Sequence, residues 1–341
     1  MRDLLVVGGG PAGLATALYA ARAGLDVEVW DKRAGTIDKA CGEGLMPGAV
    51  TALESLSVKP EGHDLVGIRY LAGSHSAEAP FRNGVGRGVR RTTLHSALRD
   101  AALDLGVELS QRCASSVVPS SDSVLVDGER FRYVVAADGL HSPVRRMLGL
   151  DGRPAPYRRY GLRRHYRVAP WTSYVEVHWA ADAEAYVTPV APDLVGIAML
   201  TSVRGSFDER LAAFPALVDR FQGADPVGEV MGAGPLRQRV KSRVAGRVLL
   251  VGDAGGYVDA LTGEGVSLGV AQARAAVSAI TDADPNRYER DWHRVTRRYR
   301  MLTASLLGAA RVGPVRRALV PAAERLPAVF SAAVNQLARP A

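Results

Sequence analysis

The sequence holds only two cysteines, only four lysines and no long hydrophobic run, and each scarcity argues against a class of protein. Cys41 and Cys113 are too few for a disulfide framework. No stretch of about eighteen apolar residues occurs, which argues against a transmembrane helix. No His, Cys, Asp or Glu group has metal-ligand spacing, and the Gly-x-Ser-x-Gly pattern is absent. The sequence therefore predicts neither a metal centre nor a serine hydrolase.

The charge is strongly positive, at +8, yet 39 of the 43 basic residues are arginine. No basic stripe with interleaved aromatic residues is present, so no nucleic-acid partner is predicted. The charge instead favours anionic ligands, such as a nicotinamide phosphate or an acidic substrate. A chain of 341 residues with 47% hydrophobic content predicts two domains. The first apolar run is interpreted as a strand rather than a signal peptide, and a cytoplasmic location is expected.

A glycine-rich turn follows that first strand. Residues 3–7 are an apolar run typical of a buried parallel strand, and residues 14–21 have the composition of a helix. Gly8 suits a tight turn, Gly10 lets the backbone approach a pyrophosphate, and Gly13 lets helix and strand pack closely. The helix N-terminus offers free N–H groups to phosphates. The turn therefore predicts dinucleotide contacts at Gly8, Gly10, Pro11, Ala12 and Gly13.

An acidic residue ends the second predicted strand, residues 27–30. Asp31 lies 18 residues beyond Gly13, where a carboxylate accepts hydrogen bonds from the ribose hydroxyls of a dinucleotide. Lys32 follows it directly. We therefore assign Asp31 and Lys32 to the predicted cofactor site.

Two later strands also run into short turns that carry a carboxylate and glycine. Residues 130–136 lead to Asp138-Gly139, and residues 248–251 lead to Gly252-Asp253. A strand-to-turn junction of this kind places a carboxylate beside a bound cofactor, where Asp253 would accept a ribityl or ribose hydroxyl. A further helix is predicted to start near Gly263 and Gly265. Its N-terminal dipole would favour negative charge on a bound cofactor.

The cofactor segments are dispersed, so the domains are predicted to interleave. One unit comprises residues 1–61, 90–150 and 245–280, the second comprises 62–89 and 151–244, and residues 281–341 form a helical cover. In the second unit, strand-like runs rich in Val, Tyr, Trp and Ile occupy 158–168, 173–180, 184–190 and 194–200. The tail at 309–338 is expected to have breaks at Pro314, Pro321 and Pro327. It would cover the substrate cavity or lie against a membrane surface.

Together these motifs resemble the para-hydroxybenzoate-hydroxylase-like FAD proteins, which include aromatic monooxygenases, flavin halogenases and geranylgeranyl reductases. The likeness extends to about residue 280. It implies an α/β fold in which a Rossmann-type FAD-binding unit carries an inserted antiparallel-sheet substrate domain and a helical C-terminus. It also implies bound FAD and NAD(P)H as a transient electron donor, without a separate nicotinamide domain. The implied FAD contacts are Gly8, Gly10, Gly13, Asp31, Asp138, Asp253 and Arg91, the last from an R-x-x-L helix start, with Arg90 as the weaker register.

The branch within that superfamily is harder to assign. Residues 39–47 look like the K-x-C-G-x-G-L loop of geranylgeranyl reductases, and residues 259–265 are similar to that branch, with Ala260 where a proline is usual. The reductase pattern Y-x-W-x-F-P is missing, since the segment Ala185–Pro189 has no tryptophan. That segment also departs from the halogenase pattern W-x-W-x-I-P. No lysine occurs between Lys59 and Lys241, which argues further against a halogenase.

Two residues of the first loop are candidates for chemistry. Cys41 would be a redox thiol, a covalent flavin link or a packed small residue. Glu43 would act as an acid or base, orient a substrate, or be an ordinary loop carboxylate. On the predicted substrate sheet, His165, His178, Tyr166, Tyr174, Tyr186 and Trp179 are pocket candidates, and the arginines at 158, 159, 163, 164 and 167 are expected to form a solvated face, with anion binding as the alternative.

The sequence thus predicts an FAD-dependent oxidoreductase with a small, apolar organic substrate of an aromatic, polyketide or isoprenoid kind, as in secondary metabolism. The leading interpretation is an NAD(P)H-using monooxygenase that acts through a C4a-hydroperoxyflavin. The alternatives are a reductase of an isoprenoid or polyene double bond and a flavin-binding protein without turnover. Peripheral membrane contact through the C-terminal helices is a further expectation. The oligomeric state is not predicted.

Overall fold

The computed structural model describes residues 1–340. Its strands are, in chain order, β1 (Arg2–Val7), β2 (Val27–Asp31), β3 (Gly44–Leu45), β4 (His63–Leu65), β5 (Gly67–Ala72), β6 (His75–Pro80), β7 (Gly86–Gly88), β8 (Glu108–Gln111), β9 (Val117–Pro119), β10 (Val124–Val126), β11 (Glu129–Ala136), β12 (Tyr160–Arg167), β13 (Tyr174–Trp179), β14 (Ala183–Ala191), β15 (Leu194–Thr201), β16 (Asp225–Ala233), β17 (Val244–Ala245) and β18 (Val248–Leu250).

The helices are α1 (Pro11–Arg22), α2 (Pro47–Glu54), α3 (Arg91–Asp104), α4 (Pro143–Met147), α5 (Phe207–Leu211), α6 (Pro215–Arg220), α7 (Gly265–Thr281), α8 (Arg287–Ala310), α9 (Gly313–Arg325) and α10 (Pro327–Leu337). Several begin with proline at the first or second position, where its missing N–H has no helical partner to lose.

The first sheet has the order β17-β18-β11-β1-β2-β8. β1 pairs in parallel with β2 and β11, and β11 pairs in parallel with β18. A short antiparallel ribbon, β9 and β10, extends from β11. The carboxyl ends of the central parallel strands therefore meet at one edge, which is where open α/β sheets bind ligands.

Apolar cores lie on both faces of this sheet. On one face, buried residues of α1, α3 and α7 pack against β1 and β2, among them Leu14, Leu18, Leu98 and Val277. On the other face, Trp30 packs edge-on against Phe131, with ring centroids 5.7 Å apart. A strand buried on both faces needs apolar residues at successive positions, and β1 meets this with Leu4, Leu5, Val6 and Val7.

The second sheet has the order β16-β12-β15-β14-β13-β5-β6. Its pairs are antiparallel except for one, β13 with β5, which is parallel. β5 and β6 lie about 100 residues earlier in the chain than β13, so no hairpin joins β5 to β13 and the pair can be parallel. The four strands predicted between residues 158 and 200 are confirmed as β12 to β15. A small third sheet, β3-β7-β4, was not predicted.

The C-terminal segment is helical, with α9 and α10 packed against β6. Pro314 and Pro327 lie at the starts of α9 and α10, as expected, but Pro321 lies inside α9 and the predicted break there is wrong. Proline removes one backbone bond, and the helix continues to Arg325. No helix within residues 1–340 is long and apolar enough to cross a membrane. The predicted α/β fold class is confirmed, whereas the domain boundaries stay a prediction.

Candidate functional site

The glycine turn connects β1 to α1 at the carboxyl edge of the first sheet. Gly8 has a φ of +108°, and a Cβ atom there would lie 2.5 Å from the carbonyl oxygen of Ala137. A Cβ atom on Gly13 would lie 1.8 Å from the oxygen of Gly8. Gly10 is different, because the nearest atom to its Cβ position is Arg91 Nη2 at 3.8 Å. Gly8 and Gly13 are thus required for packing, and Gly10 leaves room for a ligand.

Asp31, at the end of β2, lies against this turn. Its Oδ2 accepts a hydrogen bond from Gly9 N at 2.9 Å, and Oδ1 accepts from the backbone N of Arg33 at 2.9 Å. Burial raises the pKa of Asp31, but the hydrogen bonds from Arg33 and Gly9 outweigh it, so the pKa lies below its ordinary value. The carboxylate therefore stays ionised as an acceptor for hydroxyl groups. Lys32, the other predicted contact, is exposed.

Arg91 is the first residue of α3 and is 7% exposed. Its Nη1 atom is buried without a hydrogen-bond partner among residues 1–340. Burial lowers the pKa of this guanidinium. A buried cation with an unpaired N–H beside the N-terminus of α1 is suited to an anion.

One turn later on α3, His95 also contacts the glycine turn, a contact that the sequence did not predict. Its Nε2 lies 2.9 Å from the carbonyl oxygen of Gly9, and Ile37 N donates to Nδ1 at 3.3 Å. Nδ1 is therefore the acceptor, and the proton is assigned to Nε2. The signal was its spacing, four residues after Arg91 on the same helix face.

The Gly252-Asp253 segment lies next to α1. Gly252 has a φ of +66°, its N–H donates to Gln272 Oε1 at 2.8 Å, and a Cβ atom on it would lie 2.8 Å from Ala12 Cβ. The Asp253 carboxylate is about one third exposed and lies 3.6 Å from Lys39 Nζ. The structure thus brings the first and third predicted segments together.

The Asp138-Gly139 segment meets the same edge, since Ala137 contacts Gly8. Asp138 Oδ2 accepts from Val144 N at 3.0 Å, while its Oδ1 is buried without a partner in the described part of the chain. Burial raises the pKa of this carboxyl. Gly139, with a φ of +86°, has Lys39 Nζ 3.6 Å from its Cβ position.

Arg145 ties the second segment to the third. It is buried, and its Nη1 donates to the carbonyl of Ala254 at 3.0 Å, while Nη2 donates to that of Leu140 at 3.0 Å. Its Nε also donates to Asp151 at 2.7 Å. The arginine therefore holds the two turns at a fixed separation.

The loop at residues 39–45 carries both predicted catalytic residues. Glu43 has a φ of +59° and is 4% exposed. Its Oε1 accepts from Arg91 N at 2.8 Å, and its Oε2 lies 2.6 Å from His165 Nε2. Both carboxylate oxygens are thus occupied by protein partners. The structure places Glu43 between α3 and β12.

Cys41 is half-buried two residues earlier, with its Sγ 3.4 Å from Glu43 N. Burial raises the pKa of its thiol, and the nearby charge of Glu43 adds to the shift. Thr188 of β14 donates to the carbonyl of Gly42 at 2.9 Å, which fixes the loop against the second sheet. Cys41 is therefore a protonated thiol rather than a thiolate.

Two of the five clustered arginines on the second sheet are not solvated, contrary to expectation. Arg163 is buried, forms an ion pair with Asp38 and lies 3.1 Å from His165 Nδ1. Arg159 is buried and paired with Glu184 at 2.7 Å. Burying these charges is tolerated because each meets a carboxylate. The others are exposed or half-buried, as Arg164 and Arg167 illustrate with surface ion pairs.

A buried ionic network, which the sequence did not predict, connects three parts of the chain. Arg159 Nε lies 3.1 Å from Asp259, and Arg316 of α9 lies 2.6 Å from Glu184. Arg316 also donates to the carbonyl of Ala183 at 2.7 Å. Burial raises the pKa of Asp259 to about 6. The network fastens α9 to the second sheet and to the segment after Asp253.

An apolar cluster, which we call the apolar wall, adjoins this network. It lies where the second sheet, the segment at 257–261 and helices α8 and α9 meet. Its buried members are Leu140, Val177, Trp179, Leu200, Leu236, Leu261, Leu307, Ala310 and Val320, with Tyr70, Tyr186, Tyr257 and Leu319 packed on them. Tyr186 of β14 donates to the carbonyl of Leu261 at 2.9 Å. Of the predicted pocket candidates, Trp179 and Tyr186 belong to the wall.

The remaining predicted cofactor residues, Gly263 and Gly265, flank Glu264 at the start of α7. Gly263 has a φ of +70°, and no atom lies within 4 Å of the Cβ position of either glycine. Glu264 is 3% exposed, and its Oε2 has no partner in the described residues. Burial raises its pKa to about 8.

A cavity of about 290 Å³ opens beside Asp253 and Gly265. It is lined by α7, α8 and the segment at 237–243, including Arg243, Tyr257, Trp292 and Arg300. The cavity is therefore continuous with the glycine-rich edge described above.

The residues at this edge fit FAD. The open backbone at Gly10, the start of α1 and the unpaired Nη1 of Arg91 suit a pyrophosphate. The carboxylates of Asp31 and Asp253 suit ribose and ribityl hydroxyls.

Comparisons with known proteins agree with this arrangement. A family profile described as NAD(P)-binding Rossmann-like domain matches residues 6–36. Menaquinone reductase of Mycobacterium tuberculosis is 28% identical over 314 residues, which cover 83% of this chain and 77% of that protein. Digeranylgeranylglycerophospholipid reductase 1 of Methanothermobacter thermautotrophicus is 29% identical over 322 residues, covering 83% and 78%.

Solved structures show the same fold. The flavin-dependent brominase Bmp2 superposes with a TM-score of 0.83 at 17% identity, over 99% of this chain and 93% of that one. The flavin-dependent halogenase CmlS gives a TM-score of 0.78 at 21% identity, over 88% of this chain and 63% of that one. This chain therefore spans just under two thirds of that halogenase. In sequence the chain is therefore similar to the two reductases, and in fold it is similar to the two flavin-dependent enzymes.

Proposed function

We propose that this protein is an FAD-dependent reductase that saturates a double bond in an apolar, isoprenoid-like substrate, with NAD(P)H as the electron donor. The observation that carries the proposal is the position of the apolar wall. It includes Tyr257 and Leu261, which follow Asp253 closely in the chain, and it is covered by α8 and α9. The two reductases reported above support it, since their names describe a menaquinone and a digeranylgeranyl phospholipid.

FAD would be held by the residues of the carboxyl edge. Arg91 and the N-terminus of α1 would bind the pyrophosphate, and Asp31 and Asp253 would accept hydrogen bonds from its sugar and ribityl hydroxyls. Gly263 and Gly265, with open space at both Cβ positions, would allow close approach to the ring.

When bound and reduced by NAD(P)H, FAD supplies a hydride to one carbon of the double bond. The second carbon then requires a proton, and Cys41 and Tyr257 each hold one at neutral pH. Burial raises the pKa of the Cys41 thiol, and it places the pKa of Tyr257 well above its ordinary value. We assign proton donation to Cys41, because its loop lies between the predicted cofactor residue Asp253, which is 3.6 Å from Lys39 Nζ, and Thr188 of the second sheet. The wall excludes water from the reacting bond.

Glu43 acts as a positioning residue in this scheme. Its carboxylate is shared between Arg91 and His165, so it fixes the 39–45 loop instead of meeting the substrate. Its strained backbone, with a φ of +59°, is held by those contacts and by the bond from Val89 N to its carbonyl at 2.8 Å.

A second candidate is monooxygenation, with the substrate gaining one oxygen atom from dioxygen. The segment Ala185–Pro189 favours it, because it lacks the tryptophan of the reductase pattern and carries Thr188 bound to the loop.

One experiment separates the candidates. The holoprotein is mixed with NADH or NADPH and with menaquinone or a geranylgeranyl lipid, both with and without dioxygen. The mass of each product is then measured by mass spectrometry. Gain of two hydrogens without dioxygen supports the reductase. Gain of an oxygen atom by the substrate only when dioxygen is present overturns the reductase proposal in favour of the monooxygenase. Bound flavin that neither NADH nor NADPH reduces overturns both and supports a flavin-binding protein without turnover.

A further inference from the structure

The outer face of α10 is apolar, contrary to the rule for surface helices, and that of α9 combines apolar residues with arginines. In α10 the exposed residues are Pro327, Ala328, Val329, Ala332 and Ala333, and none is polar. The inner face of the same helix carries the buried Phe330 and Val334. A helix with apolar side chains on both faces leaves one of them without a partner.

The exposed surface of α9 continues this pattern. Val315, Ala318 and Ala322 are exposed and spaced three and four residues apart, so they share one side of the helix. The inward side carries Arg316 and Val320, which are buried.

We call the outward surface of residues 312–333 the C-terminal face. Its large apolar side chains are Val312, Val315, Leu326 and Val329, which are 51%, 42%, 56% and 63% exposed. Leu326 and Val329 lie at the junction of the two helices, and Val312 and Val315 lie at the start of α9.

The unpaired charges on the C-terminal face are positive. Arg317 and Arg325 are exposed and have no ion-pair partner among residues 1–340. The acidic residue nearby, Glu324, is already bound to His75 at 2.6 Å and to Ser76 N at 3.2 Å. An anionic partner would therefore meet uncompensated positive charge.

We propose that the C-terminal face docks on the surface of an anionic lipid bilayer. Exposed Leu, Val and Ala flanked by arginines are the composition of a helix that lies in the membrane interface, where apolar side chains enter the acyl boundary and cations meet lipid headgroups. A protein partner would be expected to offer hydrogen bonds, and none of the fully exposed residues of α10 has a polar side chain to receive them.

The inner side of the same helices has a separate role. Leu319 and Val320 of α9 and Leu307 of α8 belong to the apolar wall. A bilayer in contact with the outer face would then lie one helix thickness from the wall. The delivery of substrate from the bilayer rests on the proposed function, but the docking surface does not.

The test is flotation of the full-length holoprotein with vesicles. Phosphatidylcholine vesicles are compared with vesicles that also contain phosphatidylglycerol, at low and high salt. We expect binding to the anionic vesicles and its loss in high salt. The variant L326E/V329E should weaken binding about tenfold or more, because burial of a Leu or Val side chain is lost and charge is added. R317E/R325E should weaken it as well.

A matched control places the same two substitutions elsewhere. Val118 and Leu125 are 54% and 38% exposed on the ribbon of β9 and β10, so V118E/L125E should bind as the unchanged protein does. No binding to either vesicle, or equal loss in control and test variants, would overturn the proposal. So would a dimer in analytical ultracentrifugation that L326E/V329E dissociates, because the face would then be covered by a second copy. Vesicle binding without turnover would leave docking intact and contradict only the proposed reaction.

Discussion

Glu43 Oε2 and His165 Nε2 lie 2.6 Å apart at the boundary between the two large sheets, and both side chains are almost fully buried. The other oxygen of Glu43 accepts a hydrogen bond from the backbone N–H of Arg91. On the other side, Arg163 contacts Nδ1 of His165 and forms an ion pair with Asp38. One carboxylate thus joins the predicted phosphate-binding helix to the substrate-side sheet.

Replacing Glu43 should destabilise the protein. Glu43→Ala leaves His165 and Arg91 N buried without their partner, and we expect the free energy of unfolding to fall by about 3–5 kcal/mol. Glu43→Gln, which keeps a hydrogen-bonding side chain, should lose less. Urea denaturation measures both, with exposed Glu54→Ala as control. An unchanged unfolding midpoint in Glu43→Ala would contradict the positioning role.

Arg91→Ala should weaken FAD binding by about 10- to 100-fold, because a charge-assisted hydrogen bond to phosphate is lost. Arg91→Lys should restore part of the affinity, since it keeps the charge without the guanidinium geometry. Titration of the apoprotein by flavin fluorescence gives the Kd. Arg99→Ala, on the same helix and 39% exposed, is the matched control and should bind FAD normally.

Gly13→Ala should abolish FAD retention and lower the thermal midpoint sharply. The added Cβ would lie 1.8 Å from the Gly8 oxygen, and this backbone atom cannot yield. Gly308→Ala serves as the opposite case, because Gly308 lies within α8 with open space at its Cβ position. It should leave FAD content unchanged and stabilise the protein by about 0.5–1 kcal/mol. Equal FAD content in the two purified variants would refute the close packing at Gly13.

Glu264 makes the stability depend on pH. Its folded pKa of about 8 lies above the ordinary 4.5, so the folded state holds a proton that the unfolded state has released between these values. Stability is therefore lost as pH rises from about 4.5 to 8. Glu264→Gln should remove that loss, on the order of a few kcal/mol at pH 8. Urea midpoints across this range, with Glu61→Gln as control, measure it. Parallel curves for Glu264→Gln and the unchanged protein would disprove it.

Cys41→Ala should lower turnover while leaving FAD affinity unchanged, if the thiol supplies the proton. A general acid contributes about 100-fold or more, so kcat should fall by at least that factor with little change in KM. Cys113→Ala, at the other cysteine, which is exposed, should not change kcat. The measurement is steady-state NAD(P)H oxidation with the substrate identified by mass spectrometry. A kcat within twofold of the unchanged protein would remove Cys41 from the mechanism.

Short-range sequence patterns predicted much of the fold. The run of residues 3–13 predicted β1, its turn and α1, because the signals for a buried strand and for a glycine turn depend on residues close together in the sequence. Alternation and β-branched content likewise predicted β12 to β15. The parallel pairing of β13 with β5 could not be predicted from the sequence, because Tyr174 and Gly67 are far apart in the chain and become neighbours only in the folded protein.

The site was predictable to the extent that it depends on short motifs. Arg91 was predicted from its R-x-x-L context, whereas His95 on the same helix was not, because a histidine within an amphipathic pattern is compatible with many roles. The Arg159–Glu184–Asp259–Arg316 network could not be inferred at all. Its four members come from distant segments, and charged residues in strands and helices ordinarily face solvent.

The order of strands in the first sheet has a consequence for synthesis on the ribosome. Val248 of β18 pairs with Val134 of β11, 114 residues earlier. A nascent chain that has emerged only to residue 240 therefore exposes the open edge of β11, and Gly252 is not yet there to pack on Ala12. The nucleotide-binding edge is completed only when most of the chain has been translated. Such late closure leaves an unpaired strand edge on the growing polypeptide, which is the kind of edge that favours aggregation before folding is complete.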